Sequence, residues 1–200
     1  MEGARRKGLA LFLLFLTSTA FAEDSSARQA EDQFLAGDLL FRRGTGIAAE
    51  FARNFSTGER RFSHVGILAE RDGDLVVVHS IYDQEAMRDG VVSDPIEVFL
   101  DGTSDWGLYR IGVSRDRRQS VADAALIILD RAVPFDNQFS LGSEDRLYCT
   151  ELVWRIVNDV VGFEMIQSST IANDAQVVAI SDVYQNQQIR LLAESPDREP

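Results

Sequence analysis

Residues 62–81 read FSHVGILAERDGDLVVVHSI. Apolar and polar residues alternate through 62–70, a β-branched run fills 75–81, and Asp72-Gly73 sits between them. Alternation with period two is a strand pattern, and Asp-Gly suits the two-residue hairpin turn, where both positions need positive φ. The stretch therefore predicts a hairpin. With Arg71 opposite Asp74, His64 faces Ile81 and His79 faces Gly66. Side chains alternate across a strand, so His64 shares a face with Gly66, and the two histidines lie on one face at diagonal positions. They are the only two histidines in the chain.

Outward from the hairpin, GDLLFRR (37–43) reads as a strand and GIAAEFARNF (46–55) as a helix with Ile47, Phe51 and Phe55 along one stripe. WGLYRIGV (106–113) and QIRLL (188–192) read as further strands. SVADAALIILDRAV (120–133) predicts a helix capped by Ser120 and stopped before Pro134. Strands and helices fall in separate blocks, which predicts an α+β domain with an antiparallel sheet packed against helices. Asp38 reads as a turn residue bonding its own backbone. Asp136 is a candidate for shaping the approach to a cleft, and Arg42 and Arg43 carry no assignment.

LYCTELVWRIV (147–157) holds the sole cysteine, Cys149. Leu152, Val153, Ile156, Val157 and Val160 recur at helical spacing, so a helix runs from Cys149 to Val161 and ends at Gly162. Cys149 sits at its N-terminal edge, where unpaired backbone N–H groups and the positive end of the helix dipole lower a thiol's pKa. The same N–H groups can hold an oxyanion. A cysteine there, facing a strand histidine, is a nucleophile and base arrangement, with the second histidine able to orient the first. As a lone thiol, Cys149 is otherwise an apolar filler.

The chain opens MEGARRKG, then LALFLLFLT, then STAFA: a basic region, a short apolar run and an Ala20-Phe21-Ala22 site. This predicts a signal peptide over residues 1–22 and a single domain over 23–200. The apolar run is too short to span a bilayer, and no cysteine follows it to take a lipid. The expectation is a periplasmic or secreted protein without stable membrane insertion. The chain has 20 basic and 32 acidic residues; residues 1–22 hold three basic and one acidic, leaving 17 against 31. So acidic a surface repels phosphate backbones and argues against nucleic acid as a partner.

SHVGI (63–67) followed by VVVHS (76–80), then YCTEL (148–152), with GDLLF (37–41) upstream and PFDNQFSLGSEDR before the cysteine, resembles the circularly permuted papain-like proteins of the NlpC/P60 superfamily. The nearest subgroup is the YiiX/YaeF-type amidases, and the resemblance covers most of residues 37–161. It implies a circularly permuted papain-like fold, Cys149 as nucleophile, His64 as general base and His79 as the third polar residue. In the YiiX-like group that third residue is often glutamate. Histidine is what the lecithin:retinol acyltransferase-like branch uses, so the substrate class stays open between peptide and lipid. Tyr148 is a candidate to line the cleft. Glu151 either stabilises the helix dipole or, as the resemblance allows, grips a substrate amine.

The expected function is an exported cysteine amidase or peptidase, with a small peptide or amino-acyl substrate drawn from cell-wall peptides as the resemblance implies. It needs no cofactor and no metal. Three alternatives differ in class: a lipid acyl hydrolase or acyltransferase, a zinc hydrolase using His64, His79 and Cys149, and a non-catalytic binding module.

Overall fold

Hairpin geometry organises the molecule. In a computed structural model, β2 (His64–Arg71) and β3 (Asp74–Asp83) pair antiparallel with Arg71 opposite Asp74 and Ile67 opposite Val78. Asp72 and Gly73 turn between them at φ 56° and 90°. The structure describes residues 34–44, 47–56, 59–103, 105–143, 145–171 and 174–196. The signal-peptide expectation for residues 1–22 lies outside these.

The other strands are β1 (Leu39–Arg42), β4 (Arg88–Pro95), β5 (Trp106–Ile111), β6 (Ser169–Thr170), β7 (Gln176–Val177) and β8 (Ile189–Glu194). Six form one sheet in the order β4-β3-β2-β1-β5-β8, with each neighbouring pair antiparallel. The helices are α1 (Ile47–Asn54), α2 (Ile96–Leu100), α3 (Arg115–Asp130), α4 (Cys149–Val161) and α5 (Ile180–Tyr184). Helices on an antiparallel sheet make the α+β class that the separate blocks of strands and helices predict.

The pleat divides the core. Leu39, Phe41, Val65, Ile67, Ala69 and Val78 face Val121 and Ala125 of α3 and Leu152, Val153, Ile156 and Val157 of α4. Leu40, Leu68, Val77 and Leu108 point the other way and meet Phe99 of α2. Fully burying one such side chain contributes roughly 1.5–3 kcal/mol, so both layers hold the hairpin. Asp38 is completely buried and takes a bidentate ion pair from Arg110, 2.8 Å to Oδ1 and 2.6 Å to Oδ2. It also accepts the Leu35 N–H, as a turn residue does.

Ser120 does not cap α3. The helix starts five residues earlier, with Ser114 accepting the Arg117 N–H, while the Ser120 hydroxyl donates to the Asp116 carbonyl from within the helix. Arg115–Gln119 have good helix propensity but no apolar period, so hydrophobic spacing alone starts the helix late. Gly162 ends α4 as expected, at φ 80° with its N–H on the Asn158 carbonyl. No helix among the described residues is long and apolar enough to cross a membrane.

Candidate active site

Three adjacent strands each contribute one polar side chain to the α2 side of the sheet. His64 Nε2 lies 2.8 Å from His79 Nδ1, and His79 Nε2 lies 2.9 Å from Asp94 Oδ2. Both steps span fifteen residues in sequence. His79 pairs with Val92 and Val77 with Asp94, so Asp94 sits diagonally from His79 on the same face. His64 reaches His79 by the same diagonal on the other side. Arg88, on the same strand as Asp94, holds the second oxygen at 2.7 Å. Asp94 precedes Pro95, which confines it to extended backbone. Directly after that proline, α2 turns Phe99 back beneath both imidazoles, with ring centroids 5.6 Å from His64 and 5.1 Å from His79.

Gly66 makes room for this. A Cβ at Gly66 would sit 2.4 Å from Val77 Cγ1 and 3.0 Å from His79 Cβ. Only glycine lets β2 approach β3 closely enough for the two rings to meet.

Cys149 occupies the first position of α4, after Tyr148 in extended backbone. The backbone N–H groups of Val65 and Thr150 lie close enough to the thiol to favour its thiolate. Val65 follows His64, so the nucleophile candidate sits at the start of the strand that carries the base candidate. No hydrogen bond joins the Cys149 thiol to His64 in this unliganded arrangement; such bonds often close only around substrate. Ser80, on the opposite face from its neighbour His79, donates to the Leu147 carbonyl at 2.6 Å. Thr150 donates to the Val178 carbonyl at 2.6 Å, and the Val178 N–H donates to the Tyr148 hydroxyl at 2.8 Å. The start of α4 is thereby fastened to the hairpin on one side and to the chain after β7 on the other.

A small groove opens beside Cys149, lined by Ala52, Phe55, Phe139, Tyr148, Val178 and Ile180 among others. Tyr148 is buried and contributes its ring to that wall. Glu151 is fully buried and does not reach the groove: Arg155 holds its Oε1 at 2.7 Å. Asp136 is buried and accepts the Gln138 and Ser140 N–H groups, shaping the turn that carries Phe139.

Electrostatics set the protons. Burial pushes the Asp94 carboxyl up, but hydrogen bonds from His79 and Arg88 outweigh it and hold it at about 2. Asp94 is thus ionised and can only accept, so His79 carries its proton on Nε2. Burial lowers His79 despite Asp94, so its Nδ1 is bare and accepts from His64 Nε2. Burial, then the neighbouring His79 and the Arg42 and Arg88 guanidinium groups, drive His64 well below the ordinary imidazole range. Neutral His64, protonated on Nε2, has a bare Nδ1. One carboxylate thereby fixes two tautomers and leaves a proton acceptor at the end of the chain.

The thiol departs from its expected shift. Helix-terminal N–H groups and Arg42 pull it down, yet burial dominates and raises Cys149 to about 11. The resting pair is a neutral thiol and a neutral imidazole. Asp94, Arg88 and Phe99 were not reached from sequence. Their signal was weak: VVSDP (91–95) is a short run beyond a glycine, and its pairing partner β3 is known only in three dimensions.

A solved structure shares the fold. Over 82% of this chain and 98% of the other, it matches the crystal structure described as metalloprotein yiiX from Escherichia coli O157:H7, with a TM-score of 0.68 and 21% identity. The polar side chains here do not suit a metal. His64 Nε2, His79 Nδ1, His79 Nε2 and both Asp94 oxygens bond to one another or to Arg88, which leaves one ring nitrogen and one thiol, fewer donors than a zinc site needs. No group of three or more candidate ligands converges among the described residues. No curated protein matches the chain. The family model for the permuted papain-like amidase enzymes, YaeF/YiiX, C92, matches residues 33–190. The chain belongs to that permuted papain-like amidase family.

Proposed function

We propose that this cysteine-type hydrolase acts through Cys149, His64 and His79 on amide bonds of small peptide or amino-acyl substrates, outside the cytoplasm. The observation that carries the reading is the Asp94–His79–His64 chain, which leaves His64 Nδ1 bare at the start of the strand whose next N–H lies near the Cys149 thiol. His64 Nδ1 takes the thiol proton as the sulfur attacks the carbonyl carbon. Because burial disfavours both ions, transfer and attack proceed together rather than from a stored ion pair. The N–H groups at the start of α4 stabilise the oxyanion. His64 then returns the proton to the leaving amine, and a water deprotonated by His64 releases the acyl group. His79 holds the His64 ring and, with Asp94 behind it, favours the imidazolium that forms. Tyr148 contributes a wall of the groove.

Cell-wall peptides are the substrate class that the family resemblance implies for an exported amidase. A lipid acyl substrate is the second reading, favoured by the apolar wall of Phe55, Phe139, Val178 and Ile180 beside Cys149. The test uses residues 23–200 with muropeptides and with ester-linked lipids, and mass spectrometry to trap an acyl group on Cys149. Amide cleavage that disappears in Cys149→Ala supports the first reading; lipid cleavage alone selects the second. Unchanged turnover in Cys149→Ala sinks both.

A further inference from the structure

Arg42 ends β1 directly across from His64. Its guanidinium lies over the Phe99 ring, 5.1 Å from the centroid, on the same aromatic floor as both histidines. Its Nε is buried with no hydrogen-bond partner, and no ion pair engages the side chain among the described residues. Other arginines in this layer and around the site are matched: Arg88 with Asp94, Arg110 with Asp38, Arg155 with Glu151. Asp94, whose charge is felt at Arg42, has both oxygens occupied by His79 and Arg88. Cys149 also feels the Arg42 charge. A half-buried, unmatched cation beside a nucleophile is costly unless something anionic completes it.

We propose that Arg42 is a specificity residue that binds a free carboxylate of the substrate, next to the carbonyl that Cys149 attacks. The inference rests on the cysteine reading above and narrows it to acidic or C-terminal amino-acyl groups. A guanidinium fork matches a carboxylate in two parallel hydrogen bonds, and the terminal nitrogens of Arg42, unlike its sealed Nε, are open to supply them. Phe99 fixes the plane of the fork. In an acidic protein this cation would attract an anion where most of the surface repels one, which separates the correct end of a peptide from its neutral remainder.

Binding is measured apart from turnover. The probes are N-acetyl-L-alanine and N-acetyl-L-alaninamide, titrated into Cys149→Ala protein while the Arg42 Nε–H and histidine ring signals are followed by NMR. The acid is expected to bind at least tenfold more tightly than the amide and to shift the Arg42 Nε–H signal. Arg42→Gln should abolish the preference, and Arg42→Lys should keep part of it. Equal affinity for acid and amide, no binding of either, or an acid preference that survives in Arg42→Gln overturns the assignment. An oxyanion-stabilising Arg42 would give equal affinities and slow both substrate types alike. Failure of the cysteine reading shows separately, as turnover that persists in Cys149→Ala.

Discussion

His79 donates from Nε2 to Asp94 Oδ2 across 2.9 Å. That bond decides which nitrogen of the neighbouring ring is basic, since a proton fixed on His79 Nε2 leaves its Nδ1 to accept from His64. Asp94 needs no contact with substrate to influence the chemistry. On the proposed reading it acts through His79 as a positioning residue, and Arg88 keeps it ionised.

Asp94→Asn removes the fixed acceptor. An amide can present either a donor or an acceptor to His79, so the tautomers are no longer unique. We expect kcat/KM to fall about 10–100-fold, the range for losing an orienting partner, with KM little changed. Ring nitrogen chemical shifts should show His64 as a mixture of tautomers. A variant with full activity and unchanged shifts would remove Asp94 from the site.

The thiol's titration makes a second prediction. With Cys149 raised to about 11 by burial, iodoacetamide labelling of the unliganded protein should climb about tenfold per pH unit between roughly pH 6 and 10. Turnover should behave differently. It requires neutral His64, which is held well below its ordinary value, so kcat/KM should stay level down through pH 6.5 and fall only in more acid solution. Rapid labelling that is flat down to pH 5 would establish a stored thiolate and refute the neutral pair.

Glu151 carries a pH signature in stability. Burial, opposed by the hydrogen bond from Arg155, raises its carboxyl from 4.5 to about 7. Between those values the folded state holds a proton that the unfolded state has released, so stability falls as pH rises from about 4.5 to about 7 and is level above. The full loss is on the order of 3 kcal/mol. Glu151→Gln should show a smaller drop between pH 5 and pH 8 in urea unfolding. An identical drop in both proteins would place the titration elsewhere.

Gly66→Ala tests the close approach of β2 and β3. The added methyl meets Val77 and the His79 Cβ, and overpacking of this kind costs about 1–3 kcal/mol. Because the obstruction lies under the His64–His79 pair, activity per folded molecule should fall as well as stability. Restored activity in Gly66→Ala combined with Val77→Ala would identify Val77 as the limiting clash.

Much of the fold and three members of the candidate site were legible because the information is local. Alternation with period two, and the positive φ required at Asp72 and Gly73, place His64 and His79 on one face without reference to the rest of the chain. The apolar period from Leu152 to Val160 and the stop at Gly162 likewise place Cys149 at a helix start. Apolar spacing pointed to Ser120 as the cap instead of Ser114, because Arg115–Gln119 form helix without an apolar stripe. Asp94 was not legible, since its relation to His79 depends on the pairing of β4 with β3.

The sequence by itself determined the hairpin, its shared histidine face and the helix that begins at Cys149, all consequences of backbone periodicity over a few residues. Tertiary structure alone decided that Asp94 and Arg88 stand behind His79, that Phe99 floors both imidazoles, that Glu151 is sealed against Arg155, and that Arg42 is left unmatched beside the site. It also reversed the expected direction of the thiol. Helix-end N–H groups are a local property, whereas desolvation depends on everything that closes around the sulfur, and here desolvation is the larger effect.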